Sequence, residues 1–406
     1  MSGPGSGAAG SEAGAIEPDG GRDDTRDVAA VSFVYTTALA IQTITMPLLA
    51  LHLGYSKPTI GVLTALSAVA QVFVRIGSAR ALRYRPDRVI ITAACLMMAG
   101  AAALLAVSAA LPVFVASEFL QGAGRGAFWT GSQAHVVRSR KRAVGRLAAT
   151  TFVSSFGQLV GPLTAAALIP VSASLTLTVS AVVGVTAAAL TVARIRSVPP
   201  VPVETRTGTL SLLHSPPVRL GCWAGLTAGG WRAMLNSYVP VLLAGSGLTT
   251  GAIGVVVAAG NGASIAGSGL SGFVGDRSRR LMVTVGAATV ATGAGIVLLG
   301  IAGRNWLGAG ILLVLSGWGA GVLQTLSPAV AAIAVDRSAR PDAVGLTGAF
   351  RAGALFVAPL AVAGLLSVLG LVPALEVTGA AMALPAGGVL RRARAGPEGA
   401  PRPTAP

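Results

Sequence analysis

Glu118 and Arg125 stand seven residues apart in the segment SEFLQGAGRGAFW. In a helix that spacing puts both on one face, with about 10 Å between their Cα atoms. Gly122 lies between them and Trp129 follows one turn after Arg125, so acid, glycine, base and aromatic share a side. The other side, through Phe119, Ala123 and Ala127, is apolar or small. A carboxylate beside a guanidinium supports two readings. Either Glu118 carries a proton as its surroundings alternate between dry and wet, with Gln121, Arg125 and Trp129 contacting a substrate, or the pair is a fixed structural ion pair.

Other polar residues sit inside apolar surroundings. Arg232 follows Trp231 in GGWRAMLNSY, with Asn236 one turn on, and this row is a second candidate for substrate contact. A guanidinium that snorkels or bonds a carbonyl is the alternative. Gln42, Thr43 and Thr45 offer uncharged hydrogen-bonding groups, as do Gln324 and Ser327 beside Trp318. Arg351 fits structure or lateral gating better than direct binding, and Glu376 lies a few residues inside the last apolar run, near the outer face, and reads as peripheral. The interior arginines outnumber the interior acids, which favours an anionic or zwitterionic substrate over an organic cation.

The rest of the chain states where these residues must live. Charged residues are only 11% of the 406 and hydrophobic ones 53%, with mean hydropathy +0.74. A soluble domain carries about 25% charge. The formal charge of +16 would suit a nucleic-acid binder only as one basic face on a soluble fold, and here the bases fall in short clusters between apolar runs. No nucleic-acid partner is expected. Cys95 and Cys222 are isolated thiols, and His52, His135 and His214 lie at run ends or in loops without metal-ligand spacing, so no metal or cofactor is expected. Nothing resembles a phosphate-cradling Gly-x-x-x-x-Gly-Lys-Ser/Thr loop, and no residues converge on enzyme chemistry.

Twelve apolar runs are long enough to cross a bilayer core of about 30 Å. They lie near 28–51, 59–79, 88–110, 112–135, 144–168 and 172–193, then 218–243, 251–274, 281–302, 306–334, 343–367 and 370–390. Residues 1–27 read as a disordered tail, 28–193 as one six-helix half, 194–217 as a Pro-rich linker, 218–390 as the second half and 391–406 as another tail. Positive charge alternates with this count. Arg80, Arg83, Arg85 and Arg88 fill one loop, Arg138, Arg140, Lys141, Arg142 and Arg146 the next but one, and Arg337 and Arg340 a later one, whereas the opposite loops hold only Lys57 and Arg304. The alternation predicts a multi-pass protein of the plasma membrane with both termini cytoplasmic.

The halves repeat each other. PLLALHLGYSKPTIGV (47–62) returns as PVLLAGSGLTTGAIGV (240–255), with Gly54 facing Gly247 and Ile60-Gly61-Val62 facing Ile253-Gly254-Val255. VGPLTAAAL (160–168) returns as VAPLAVAGL (357–365), Pro162 facing Pro359. Two parallel six-helix repeats predict an all-α transporter with a path between its lobes.

Twelve spans, the repeat and the linker together resemble the major facilitator superfamily over residues 28–390. GFVGDRSRR (272–280) is similar to the family's loop motif, which implies gating roles for Gly272, Asp276, Arg277 and Arg280. The first copy of that loop, SARALRYRPDR (78–88), has Leu82 where the acid would stand. GQLVGP (157–162) resembles the end of the helix-5 motif of the drug:proton antiporter branch, which implies gating by Gly157, Gly161 and Pro162. In that branch an Arg precedes a hydrophobic pair and Gln-Gly in helix 4, and here Glu118 occupies the Arg position ahead of Gln121-Gly122. The resemblance implies a secondary transporter working by alternating access, with proton-coupled efflux as the leading expectation. Proton-coupled uptake of an organic anion comes second and a transport-dead membrane sensor third. The partners implied are a small-molecule substrate, protons and membrane lipid.

Overall fold

The computed structural model describes residues 24–138, 143–197, 209–271, 278–302, 305–333, 335–336 and 339–394. The described residues are helical, without a strand. The first half comprises α1 (Thr25–His52), α2 (Lys57–Ala81), α3 (Asp87–Val107), α4 (Leu111–Arg138), α5 (Ala143–Leu168) and α6 (Ala173–Arg194). After a 3-10 turn (Thr209–His214) come α7 (Pro216–Asn236), α8 (Tyr238–Gly245), α9 (Thr250–Leu270), α10 (Ser278–Ala302), α11 (Trp306–Ile333), α12 (Arg340–Leu365) and α13 (Leu371–Arg394).

The sequence predicts one helix over 218–243, and the structure divides it into α7 and α8. Ser237 leaves the helical region at φ −129° and ψ −81°. Pro240 supplies the physical cause, because its ring clashes with the carbonyl four residues back and removes a backbone donor. Among the described residues thirteen α-helices therefore make twelve spans.

Nine of the described helices contain an apolar window long enough to cross a membrane unaided. The exceptions include α4 and α7, the two that carry Glu118, Gln121 and Arg125, and Arg232 and Asn236. Their polar residues lower the very hydropathy by which a span is recognised, so they depend on neighbours to shield them.

The repeat is visible in detail. α2 opens on Ser56, whose hydroxyl accepts from the Thr59 N–H, and α9 opens on Thr249, which accepts from the Ala252 N–H. Before each, a glycine takes the left-handed conformation, Gly54 at φ 80° and Gly247 at φ 86°. Gly122 of α4 lies against the Ser67 carbonyl of α2, and Gly321 of α11 lies against the Ser264 carbonyl of α9, each with no room for a β-carbon. Small residues at these crossings let backbones approach where lipid provides no hydrophobic drive between helices.

The halves join through α2 with α12 and α5 with α9. At the end of the bundle remote from the chain termini, one apolar core runs across both halves, from Ile44, Ile60 and Phe114 to Trp231, Tyr238, Val257 and Val362. Toward the termini the cores separate. One contains only first-half residues, including Tyr35, Met98 and Phe128, and two contain only second-half residues, including Val285, Leu323 and Val218. The lobes are thus sealed to each other at one end and packed independently at the other.

Candidate polar cavity between the halves

A cavity at the junction is lined by Thr43, Met46 and Pro47 of α1, Thr64, Ser67 and Ala68 of α2, Glu118, Gln121 and Arg125 of α4, Ala233 and Asn236 of α7, and Leu355 of α12. Its free volume of about 20 Å³ suits one water-sized molecule. Both halves contribute walls, so movement of one lobe against the other must change its shape.

Gln121 is the hub of the wall. Its Nε2 donates to Gln42 Oε1 at 3.3 Å and to Met46 Sδ at 3.0 Å. Its Oε1 accepts from the Ser67 hydroxyl at 3.2 Å and from Arg125 Nη2 at 3.2 Å. Gln42 does not line the cavity. It is fully buried, donating to the Met98 carbonyl and the Ser180 hydroxyl, both at 3.0 Å, and it orients Gln121 from behind.

Glu118 is 6% exposed and opens on the same cavity as Arg125, yet no ion pair forms between them. Arg125 spends one donor on neutral Gln121, and its Nε–H is buried with no acceptor. Such a donor costs about 1–3 kcal/mol, more for a charged group, until an acceptor arrives.

Arg232 lies beside the cavity. It donates to Asn261 Oδ1 of α9 and stands 5.1 Å from the Trp231 ring centroid. Asn261 Nδ2 in turn donates to the Gln158 carbonyl of α5 at 2.9 Å, tying α7 and α9 to GQLVGP. Within that segment Gly157 packs on Phe33 and Thr36 of α1, Gly161 on Thr37 and Ala40, and the Pro162 carbonyl faces Gly254 of α9. Trp129 stays off the lining and packs edge-on against Phe128 at 5.7 Å, which itself stacks on Tyr35. Glu376 is remote, near Gly300 of α10. Gly272, Asp276 and Arg277 lie outside the described residues, as does the side chain of Arg280.

Two features escaped the sequence reading. Arg75, inside the second apolar run, reaches Gln133 Oε1 of α4 at 3.4 Å. His135 is not an inert helix-end residue: it is 3% exposed, with Nδ1 at 2.8 Å from Asp87 and Nε2 at 2.9 Å from Asp24. The two acids are far from His135 in the chain, so no spacing announces them.

The model of the Major Facilitator Superfamily matches residues 28–359, and the chain belongs to that family. It is therefore a multi-pass membrane protein with the fold of a secondary transporter. No curated protein matches the sequence. Solved structures with the same fold include a POT family transporter in complex with 5-aminolevulinic acid, at 12% identity and TM-score 0.75, covering 91% of this chain and 96% of that one. The nucleoside transporter NupG aligns at 11% identity and TM-score 0.74, covering 92% and 99%. A bacterial homolog of the human lysosomal transporter Spinster, inward-facing and unoccupied, aligns at 11% and TM-score 0.66, covering 92% and 95%.

Proposed function

We propose that this chain is a proton-coupled secondary transporter that carries a small organic anion or zwitterion by alternating access, with Glu118 as the proton carrier. The observation that supports it is the open Glu118 and Arg125 arrangement: a carboxylate and a guanidinium on one cavity, unpaired, with a buried Arg125 N–H awaiting an acceptor. An anion accepted by Arg125 brings negative charge beside Glu118 and favours the carboxyl that holds its proton. Each ligand then promotes binding of the other, which is the sign required for cotransport. Asn236, Gln121 and Arg232 orient the substrate around that centre, and Gln42 holds Gln121 in place.

The end carrying the termini is the cytoplasmic one in this reading, because the arginine-rich loops lie there. The lobes, sealed at the outer end, rock about the α2–α12 and α5–α9 joints, with Pro162 at the second joint and Gly157 and Gly161 seating α5 on α1 behind it. Gly272, Asp276, Arg277 and Arg280 serve as the inner latch. Efflux by exchange with protons is the second reading, favoured by the direct link from Arg232 through Asn261 to the Gln158 carbonyl within the antiporter-like segment.

The experiment is flux in proteoliposomes of the purified protein under an imposed pH gradient, scored over a panel of anions, zwitterions and cations. Glu118→Gln is expected to insert normally and to lose movement against the gradient, since the amide keeps shape and hydrogen bonding but carries no proton. Coupling equal to wild type would remove Glu118 from the mechanism. The direction of the gradient that drives accumulation separates uptake from efflux.

A further inference from the structure

Four arginines converge between the lobes, two from each half: Arg75 and Arg125 from the first, Arg232 and Arg351 from the second. Each spends a donor on a neutral side-chain amide. Arg125 bonds Gln121, Arg232 bonds Asn261, Arg75 bonds Gln133 at 3.4 Å and Arg351 bonds Gln324 at 2.9 Å. An amide oxygen orients a guanidinium without cancelling its charge. Among the described residues no carboxylate lies within ion-pair distance of any of the four, and Glu118 is the only acid on the cavity wall.

The four form a chain of like charges. Arg232 is within electrostatic reach of Arg125 and Arg351, and Arg351 within reach of Arg75. They also fall into two levels. Arg125 lines the cavity and Arg232 lies beside it, bonded to Asn261, three residues before Ser264 on α9. Gln324, the partner of Arg351, lies three residues after Gly321 on the parallel α11, and Gly321 packs on the Ser264 carbonyl, so Arg351 is anchored nearer the end with the termini. Arg75 is seven residues beyond lining residue Ala68 in the same direction, about 10 Å along α2. Each level pairs one arginine from each lobe. Glu118 is within electrostatic reach of Arg125 but of none of the other three, and like charges left in excess in a low-dielectric interior repel and are costly to retain unless a counter-charge visits.

We infer that the carried molecule bears two separated anionic groups, a dicarboxylate or its equivalent, with one group held at the Arg125 and Arg232 level and the other at the Arg351 and Arg75 level. The inference rests on the proposed reading of the cavity and extends it by naming Arg75 and Arg351 as binding residues for the second group. A dianion bridging both levels draws an arginine from each lobe toward one ligand, which favours closure of the inner ends around it.

The test compares adipate with hexanoate, which share chain length and differ by one carboxylate, in thermal stabilisation of the purified protein in detergent at matched ionic strength, with chloride as the salt control. Adipate is expected to bind at least about tenfold more tightly than hexanoate, and Arg351→Gln and Arg75→Gln are each expected to bring the ratio of the two affinities to about one. Lysine at either position keeps charge without the fork and is expected to restore part of it. Adipate no better than hexanoate, or an advantage that survives in both glutamine variants, overturns the inference. If hexanoate still stabilises and Arg125→Gln abolishes that effect, the cavity reading stands and only the second level falls. If neither anion stabilises the wild type beyond chloride, both fall.

Discussion

Gly254 of α9 packs directly on the Pro162 carbonyl of α5, where an added β-carbon would stand 2.6 Å from the oxygen. At its repeat partner Gly61 of α2 an added β-carbon would stand 3.1 Å from the Pro359 carbonyl oxygen of α12 and nearer still to the Tyr238 hydroxyl. The joint between the lobes is therefore built twice, from the same glycine and the same proline in each half. Tyr238 adds a bond of its own, its hydroxyl donating to the Lys57 carbonyl at 3.2 Å.

Because the Pro162 oxygen is backbone and cannot rotate away, Gly254→Ala is expected to push α5 and α9 apart, costing about 1–3 kcal/mol as overpacking does. Thermal unfolding in detergent should show the loss, and flux in vesicles should slow. Wild-type values in both would mean the joint has slack that the packing does not show.

Arg125 presents a fork to the cavity, and its Nε–H lacks an acceptor. Arg125→Lys keeps the charge and loses the fork. Anion affinity is expected to fall by the worth of a charged hydrogen bond, about 1.5–3 kcal/mol or roughly 10- to 100-fold. Competition binding reads it directly, and unchanged affinity would take Arg125 out of substrate contact.

His135 clamps the ends of three helices nearest the termini. An imidazole donates through both nitrogens only as imidazolium, so bonding Asp24 and Asp87 together fixes its charge. His135→Ala leaves the fully buried Asp87 without this partner and is expected to cost about 3–5 kcal/mol. Asp24 precedes the first membrane helix. Burial alone raises its carboxyl, but the hydrogen bond and charge of His135 outweigh that and hold it below its ordinary value. Its contribution to stability is therefore present above about pH 4 and is lost as pH falls through the lowered value. Melting temperature against pH should show an acid loss that Asp24→Asn flattens; parallel profiles would contradict the clamp.

Sidedness is checked by single cysteines. The native Cys95 and Cys222 are buried, which keeps background labelling low. Arg83→Cys is expected to react with a membrane-impermeant maleimide only from the cytosol, and Asn305→Cys only from outside. Labelling of both from one side would break the assignment of spans.

Much of the architecture was legible in the sequence because bilayer physics writes it locally. Length and hydropathy state most of the spans, arginine alternation states the count, and the echo of Gly54 and Ile60-Gly61-Val62 states the duplication, which returns as paired caps and paired left-handed glycines. The Glu118 and Arg125 stripe was legible for the same reason, since helical periodicity alone puts both on one face.

Contact across the chain was not. Gln42 and Gln121 look alike as candidates, yet only Gln121 reaches the cavity, because Met98 and Ser180 claim Gln42 from other helices. Nothing near Arg75 or Arg351 in the chain reveals that amides rather than acids meet them, or that they face one another across the lobes. The break at Ser237 depended on Pro240, although Pro47 at the matching place leaves α1 continuous. By itself the sequence determined a duplicated twelve-span bundle with ionisable groups at membrane depth, because hydrophobic length, period and charge asymmetry act within one segment. Only the tertiary structure decided which of those charges are partnered, since a partner is set by how helices distant in the chain pack, and that packing leaves the guanidiniums between the lobes without a carboxylate to bind.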